Sequence, residues 1–149
     1  MTRTKMRRVT VRAGFTMVEL MAVLVVLGLL MAVVAKNVVG RIDRARVTTT
    51  IASLKELHGA VIQFKFDTGR YPSQEAGLQE LVEQPSDVTG WDPDGYLLTT
   101  DIPTDAWGRD FIYELYPVSG KAFVIYSYGA DGQEGGEGYD ADLLSTDAK

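Results

Sequence analysis

The chain has 149 residues, 46% hydrophobic and 23% charged, with no cysteine. That is room for one modest domain, and it excludes a small scaffold stapled by disulfides. The net charge of −5 averages two unlike regions: residues 1–14 carry five basic side chains and no acid, whereas residues 15–149 hold ten basic against twenty acidic residues, a net −10. So acidic a body argues against nucleic acid as a partner, because phosphate binding needs a basic face, while a basic leader before an apolar run points to a membrane.

That run is Phe15–Ala35, 21 residues whose only charge is Glu19. As a helix it would be about 31 Å long, close to the thickness of a bilayer's hydrocarbon core. A cleaved secretory signal has an apolar stretch of only about 7–15 residues ending in small residues, and Ala35-Lys36-Asn37 makes a poor cut site. The positive-inside rule puts the leader in the cytoplasm and the acidic remainder across the membrane.

Past Lys36, Val47, Ile51, Leu54, Leu57, Val61 and Phe64 recur at helical spacing, with Arg44, Lys55, Glu56 and Lys65 off the stripe. No proline interrupts residues 15–66, so one continuous helix is expected, half in lipid and half packed on a small domain. Asp67-Thr68-Gly69 and Tyr71-Pro72 end it. Gly77–Glu83 reads as a second short helix stopped by Pro85, and residues 86–108 are turn-rich. Phe111–Tyr116 and Ala122–Tyr128 read as a hairpin about Pro117-Val118-Ser119-Gly120. The segment Gly129–Asp142 then packs five glycines and five acids into fourteen residues.

Three constellations bear on function. The first is the junction Arg12-Ala13-Gly14-Phe15-Thr16-Met17-Val18-Glu19. A glutamate at the start of a membrane helix either stays hydrated near the interface or needs a partner, because an unpaired carboxylate in lipid is costly. The second joins Arg70-Tyr71-Pro72 and Gly77-Leu78 to Asp105-Ala106-Trp107-Gly108 and Tyr113, which blind reads as a loop and a turn feeding a strand, with its aromatics as core. The third is the loop with Asp131, Glu134, Glu137, Asp140 and Asp142. It is either a solvated acidic turn or an all-oxygen site for a hard cation, and its spacing is not that of an EF-hand. The single histidine, His58, sits mid-helix beside the stripe, and no cysteine nucleophile or phosphate-binding glycine loop accompanies it, so the chain is not read as an enzyme.

The junction resembles the processing signal of type IV pilins and pseudopilins, and the ordered set of motifs over residues 12–143 resembles the major pseudopilin family of type II secretion. The resemblance implies an α+β, type IV pilin-like fold: a long N-terminal helix on a small antiparallel sheet, closed by a calcium-binding C-terminal loop. It implies a cleaved leader (1–14), a transmembrane and assembly helix (15–36) and a periplasmic globular domain (37–149) on a single-pass inner-membrane protein. Cleavage by a prepilin peptidase falls between Gly14 and Phe15, with N-methylation of Phe15, and Glu19 meets the N-terminal ammonium of a neighbouring subunit. Ca²⁺ is implied on Asp131, Asp140 and Asp142 with the carbonyls of Tyr128 and Gln133. Implied partners are further copies of the chain, minor pseudopilins and the inner-membrane assembly platform, the polymer driving folded proteins through an outer-membrane secretin. A type IV pilin for adhesion, motility or DNA uptake shares the junction, but such pilins usually carry a disulfide, and DNA uptake would want a basic patch. Two departures stand out: Lys36 where most such helices have proline, and Ala106 where the D-P-W-G motif has proline.

Overall fold

The computed structural model describes residues 14–147, with residues 35–39 as backbone only; of the leader expected at 1–14, residues 1–13 lie outside the described residues. Helix α1 spans Met17–Thr68, 52 residues without a break. The single helix expected from the absence of proline is therefore present, although it runs through two compact units, residues 1–39 and 40–149.

In the first unit, Met17–Val34 has a mean hydropathy of 2.8 and none of it is buried. The whole circumference is apolar: Met17, Val18, Leu20 and Val26, which point to different sides of the helix, are each at least half exposed. A helix apolar on every side has no face to hide from water, which marks a segment meant for lipid or for other helices.

In the second unit α1 becomes one-sided. Leu54, Leu57, Val61 and Phe64 are all fully buried, and they form a core with Leu78, Leu81, Phe111, Tyr113, Phe123 and Ile125. The helix ends where Thr68 Oγ1 donates to the Phe64 carbonyl at 2.7 Å and Gly69 N–H to that of Lys65 at 2.9 Å. The expected second helix is a 3-10 helix over Gly77–Leu81, two residues shorter than the sequence suggested. A segment held so close to Pro72 and Pro85 is too short to offset the cost of nucleating an α-helix.

The sheet is an antiparallel meander of β1 (Ile112–Leu115), β2 (Phe123–Ser127) and β3 (Leu143–Leu144), in that order. The expected hairpin is β1–β2, with Tyr113 opposite Ile125 and Leu115 opposite Phe123; these four side chains share one face and supply the sheet's part of the core. The third strand was not expected. It pairs Leu143 with Ser127 and Leu144 with Tyr126, and so returns the glycine-acid loop to the sheet. Of the two tryptophans read as core, both are only half-buried, and Trp91 spends its ring N–H on the Glu80 carbonyl at 2.9 Å.

Candidate functional site

At the start of α1, Glu19 Oε2 accepts from Thr16 N–H at 2.8 Å and Thr16 Oγ1 at 3.0 Å, while Thr16 Oγ1 accepts from Glu19 N–H at 3.2 Å. This is a capping box, Thr16 as N-cap and Glu19 at the third helical position, which satisfies amide groups that have no partner in the first turn. The T-x-x-E spelling carries that signal in the sequence, beside the more conspicuous lone charge of Glu19 in an apolar run. Glu19 thus sits at the first turn, three residues beyond the Thr16 cap, and Gly14 and Phe15 precede the helix.

The second constellation is a structural brace. Glu80, almost fully buried, receives Arg70 Nη1 at 2.7 Å on one oxygen and Ser73 Oγ at 2.6 Å on the other. Arg70 Nη2 reaches Asp87 at 2.8 Å and holds that carboxyl below its usual range. Tyr113 donates its phenol proton to the Pro72 carbonyl at 3.0 Å; burial of its ring, foremost, pushes its pKa well above the ordinary tyrosine value. The R-Y-P motif is thereby tied both to the 3-10 helix and to β1.

Asp105 organises the third. It is 4% exposed. One of its oxygens accepts from Trp107 N–H and Arg109 N–H at 2.9 Å each, and the other takes Ser127 Oγ at 2.7 Å. The turn therefore aims Arg109 at the base of the glycine-acid loop, where its Nη2 donates to the carbonyls of Gly129 and Ala130, each at 2.8 Å. Gly132 has a φ of +71°, and a Cβ there would collide with the Arg109 guanidinium. Gly129, at φ +64°, would put a Cβ 2.6 Å from the Ala141 carbonyl oxygen. Both positions favour glycine by conformation, and at Gly129 the neighbouring main chain also leaves no room for a Cβ.

Within the loop, Asp131 Oδ1 accepts from Gln133 N–H at 3.0 Å in an Asx turn, and Ala130 N–H bonds the Tyr139 carbonyl at 2.9 Å. Asp142 Oδ2 accepts from Gly135 N–H at 3.0 Å, whereas Asp142 Oδ1 is buried with no hydrogen-bond partner. Such an orphaned buried oxygen is expensive and calls for a donor or a cation. The Tyr126 phenol, raised to about 12 by burial and a hydrogen bond with Tyr128, stays neutral, so the loop's anionic donors are carboxylates. Among the described residues, no three His, Cys, Asp or Glu side chains are placed to share one metal ion. Asp131, Asp140 and Asp142 thus do not converge as a triad. The loop's carboxylates and main-chain carbonyls are together a donor set that suits a hard cation.

His58 lies against Phe123, ring centroids 4.7 Å apart, with Nδ1 3.3 Å from Ser145 Oγ. Ser145 Oγ accepts from Ile125 N–H at 3.1 Å, and Ser145 N–H donates to the Ile125 carbonyl at 2.8 Å. Burial holds the imidazole pKa below its ordinary value. The histidine therefore braces the residue that follows β3.

Comparison with known proteins agrees with this architecture. Residues 37–146 match the family model of type II secretion system protein G, and residues 10–35 match the prokaryotic N-terminal methylation motif. The chain is 40% identical over 139 residues to the type II secretion system core protein G of Pseudomonas aeruginosa, covering 91% of this chain and 96% of that one. It is 34% identical over 140 residues to the core protein G of Vibrio cholerae, covering 93% and 94%. The crystal structure of the major pseudopilin from the type 2 secretion system of enterohaemorrhagic Escherichia coli superposes with a TM-score of 0.59 at 28% identity, over 70% of this chain and 86% of that one. A methylation motif on an apolar helix and a protein G globular unit thus occur in one polypeptide, and the chain belongs to the type II secretion system protein G family.

Proposed function

We propose that this chain is the major structural subunit of a type II secretion pseudopilus. The observation that carries the reading is the succession, along one chain, of the methylation motif at residues 10–35 and the protein G match at residues 37–146. In this reading a prepilin peptidase cuts between Gly14 and Phe15 and Phe15 is methylated. The subunit waits in the inner membrane with residues 37–149 in the periplasm. An assembly platform and minor pseudopilins take it into a polymer that pushes folded proteins through the secretin. The work is assembly and not catalysis. Leaving lipid costs the helix little if the same apolar surface is buried against neighbouring helices, and pairing of Glu19 with a neighbour's terminal ammonium fixes the register. Expected for Glu19→Ala is normal membrane insertion with loss of pseudopili in electron micrographs of sheared material; pseudopili of normal number and length would refute the register argument.

Ca²⁺ completes the proposal. Asp142, whose buried Oδ1 lacks a partner, would hold it with Asp131 or Asp140 and the carbonyls of Tyr128 and Gln133. The ion would supply positive charge that offsets the repulsion among the loop's acids. Asp142→Ala, or a chelator on the wild type, is expected to lower the unfolding midpoint of the full chain in detergent. A midpoint indifferent to both would remove calcium from the account.

A further inference from the structure

The outward face of α1 in the globular unit belongs to none of the sites above. Starting at Arg41, steps of three and four residues pass through Arg44, Lys55, Gly59, Ile62 and Phe66, and every one of these positions is exposed. They form a stripe about 37 Å long on the side of the helix opposite Leu54, Leu57, Val61 and Phe64. Its first half is basic. Its second half is apolar: Ile62 is 46% exposed and Phe66 84%. Between them Gly59 leaves the backbone bare, with nothing within 4 Å of where a Cβ would stand.

The charge of this stripe is against the trend of the molecule. Residues 40–147 hold nineteen acids and eight basic residues, and three of those eight, Arg41, Arg44 and Lys55, lie on this stripe. Arg70 and Arg109 are committed to internal ion pairs, whereas Arg41 and Arg44 make none among the described residues. Meanwhile Glu134 and Glu137 are exposed on the glycine-acid loop and enter no ion pair among the described residues.

From this we infer that the Arg41–Phe66 face of α1 is the docking surface for a second copy of the chain, which presents the Glu134/Glu137 side of its loop to the arginines. The argument is complementarity between two different patches of one polypeptide. A patch that fits a different patch on an identical chain makes a head-to-tail contact that need not close, which is the geometry of a filament and not of a dimer. Opposite charges across such a contact set register and reject wrong partners, and the exposed Ile62 and Phe66 give it apolar area to bury. The inference rests on the pseudopilin reading and adds the surface by which globular units meet.

A charge swap in the full chain, assembled in cells with its secretion platform, tests it by filament yield after shearing. Arg41→Glu with Arg44→Glu should lower the yield about tenfold, the equivalent of 1.4 kcal/mol at the contact. Glu134→Arg with Glu137→Arg should do the same, and the four substitutions together should bring the yield back to within about threefold of the wild type. Phe66→Asp should lower it independently. Arg46→Glu is the control: Arg46 lies about 140° round the helix from Arg41 and its reversal should leave the yield unchanged. Wild-type yield from the Arg41/Arg44 variant would overturn the inference. So would a defect that the loop reversals do not repair but that tracks lost binding to vesicles containing phosphatidylglycerol, since the arginines would then serve lipid headgroups. Absence of filaments from the wild-type chain itself would strike the pseudopilin reading instead.

Discussion

Residues 17–34 and residues 47–64 are two stretches of one helix, similar in length and rich in the same aliphatic side chains, and they behave as opposites. In the first, every apolar residue is exposed and the mean hydropathy is 2.8; in the second, Leu54, Leu57, Val61 and Phe64 are fully buried while Lys55, Glu56, Gly59, Ile62 and Gln63 between them are exposed. The difference lies in amount and in distribution: sixteen of the eighteen residues are apolar in the first stretch and nine of eighteen in the second, where most of them gather on one side. A stripe of apolar residues specifies one neighbour, here the sheet, and is satisfied within the chain; an apolar cylinder specifies an environment and is satisfied only by lipid or by several other helices.

Truncation separates the two most sharply. Phe64→Ala should cost the globular unit about 3–5 kcal/mol, a large share of the roughly 5–15 kcal/mol available to a small domain. Leu24→Ala should move the unfolding midpoint of the same detergent-solubilised chain by almost nothing. Equal effects, measured by circular dichroism, would mean that the two halves do not differ as described. A smaller effect is expected where the globular unit is held by polar contacts. Arg109→Lys keeps the charge but loses the planar fork that meets both the Gly129 and Ala130 carbonyls. It should cost about 1–2 kcal/mol and make the glycine-acid loop cut faster by a protease, with or without calcium present.

The smallest effect is a pH dependence confined to the globular unit. His58 has its folded pKa depressed by burial, so between that value and the ordinary 6.5 of the unfolded chain the unfolded state binds more protons. Stability from this group is then complete above about pH 6.5 and is lost as pH falls through the folded pKa. The unfolding midpoint should decline between pH 7 and 5.5, and His58→Gln should flatten that slope. An unaltered slope would assign it to carboxylates.

Legibility in the sequence followed the range of the forces involved. The continuous helix could be read because residues 15–66 contain no proline and both periodicities are local. Strands β1 and β2 fell within the segments expected of them, since alternation and a Pro-x-x-Gly turn are local too. Strand β3 escaped notice because two leucines cannot show a period. The role of Arg109 was invisible for a different reason: its acceptors lie 20 and 21 residues further on, and only the folded Asp105 turn points the guanidinium at them. The glycine-acid loop was legible as oxygen chemistry but not as geometry. Composition collected the five acids, yet the fold does not gather three of them around one point.

The Thr16–Glu19 capping box bears finally on how a subunit changes surroundings. A bare carboxylate at the centre of a bilayer costs about 2.5–3.5 kcal/mol on insertion scales, and each transfer of the helix between lipid and neighbours would otherwise expose that charge anew. Glu19 instead travels with two hydrogen-bond donors from its own first turn. Under the proposed role, a neighbour's ammonium would be traded in and out against a carboxylate already half-solvated by its own backbone. Reversible exchange of subunits would then require substitution of one partner by another, with no intermediate in which the charge stands alone.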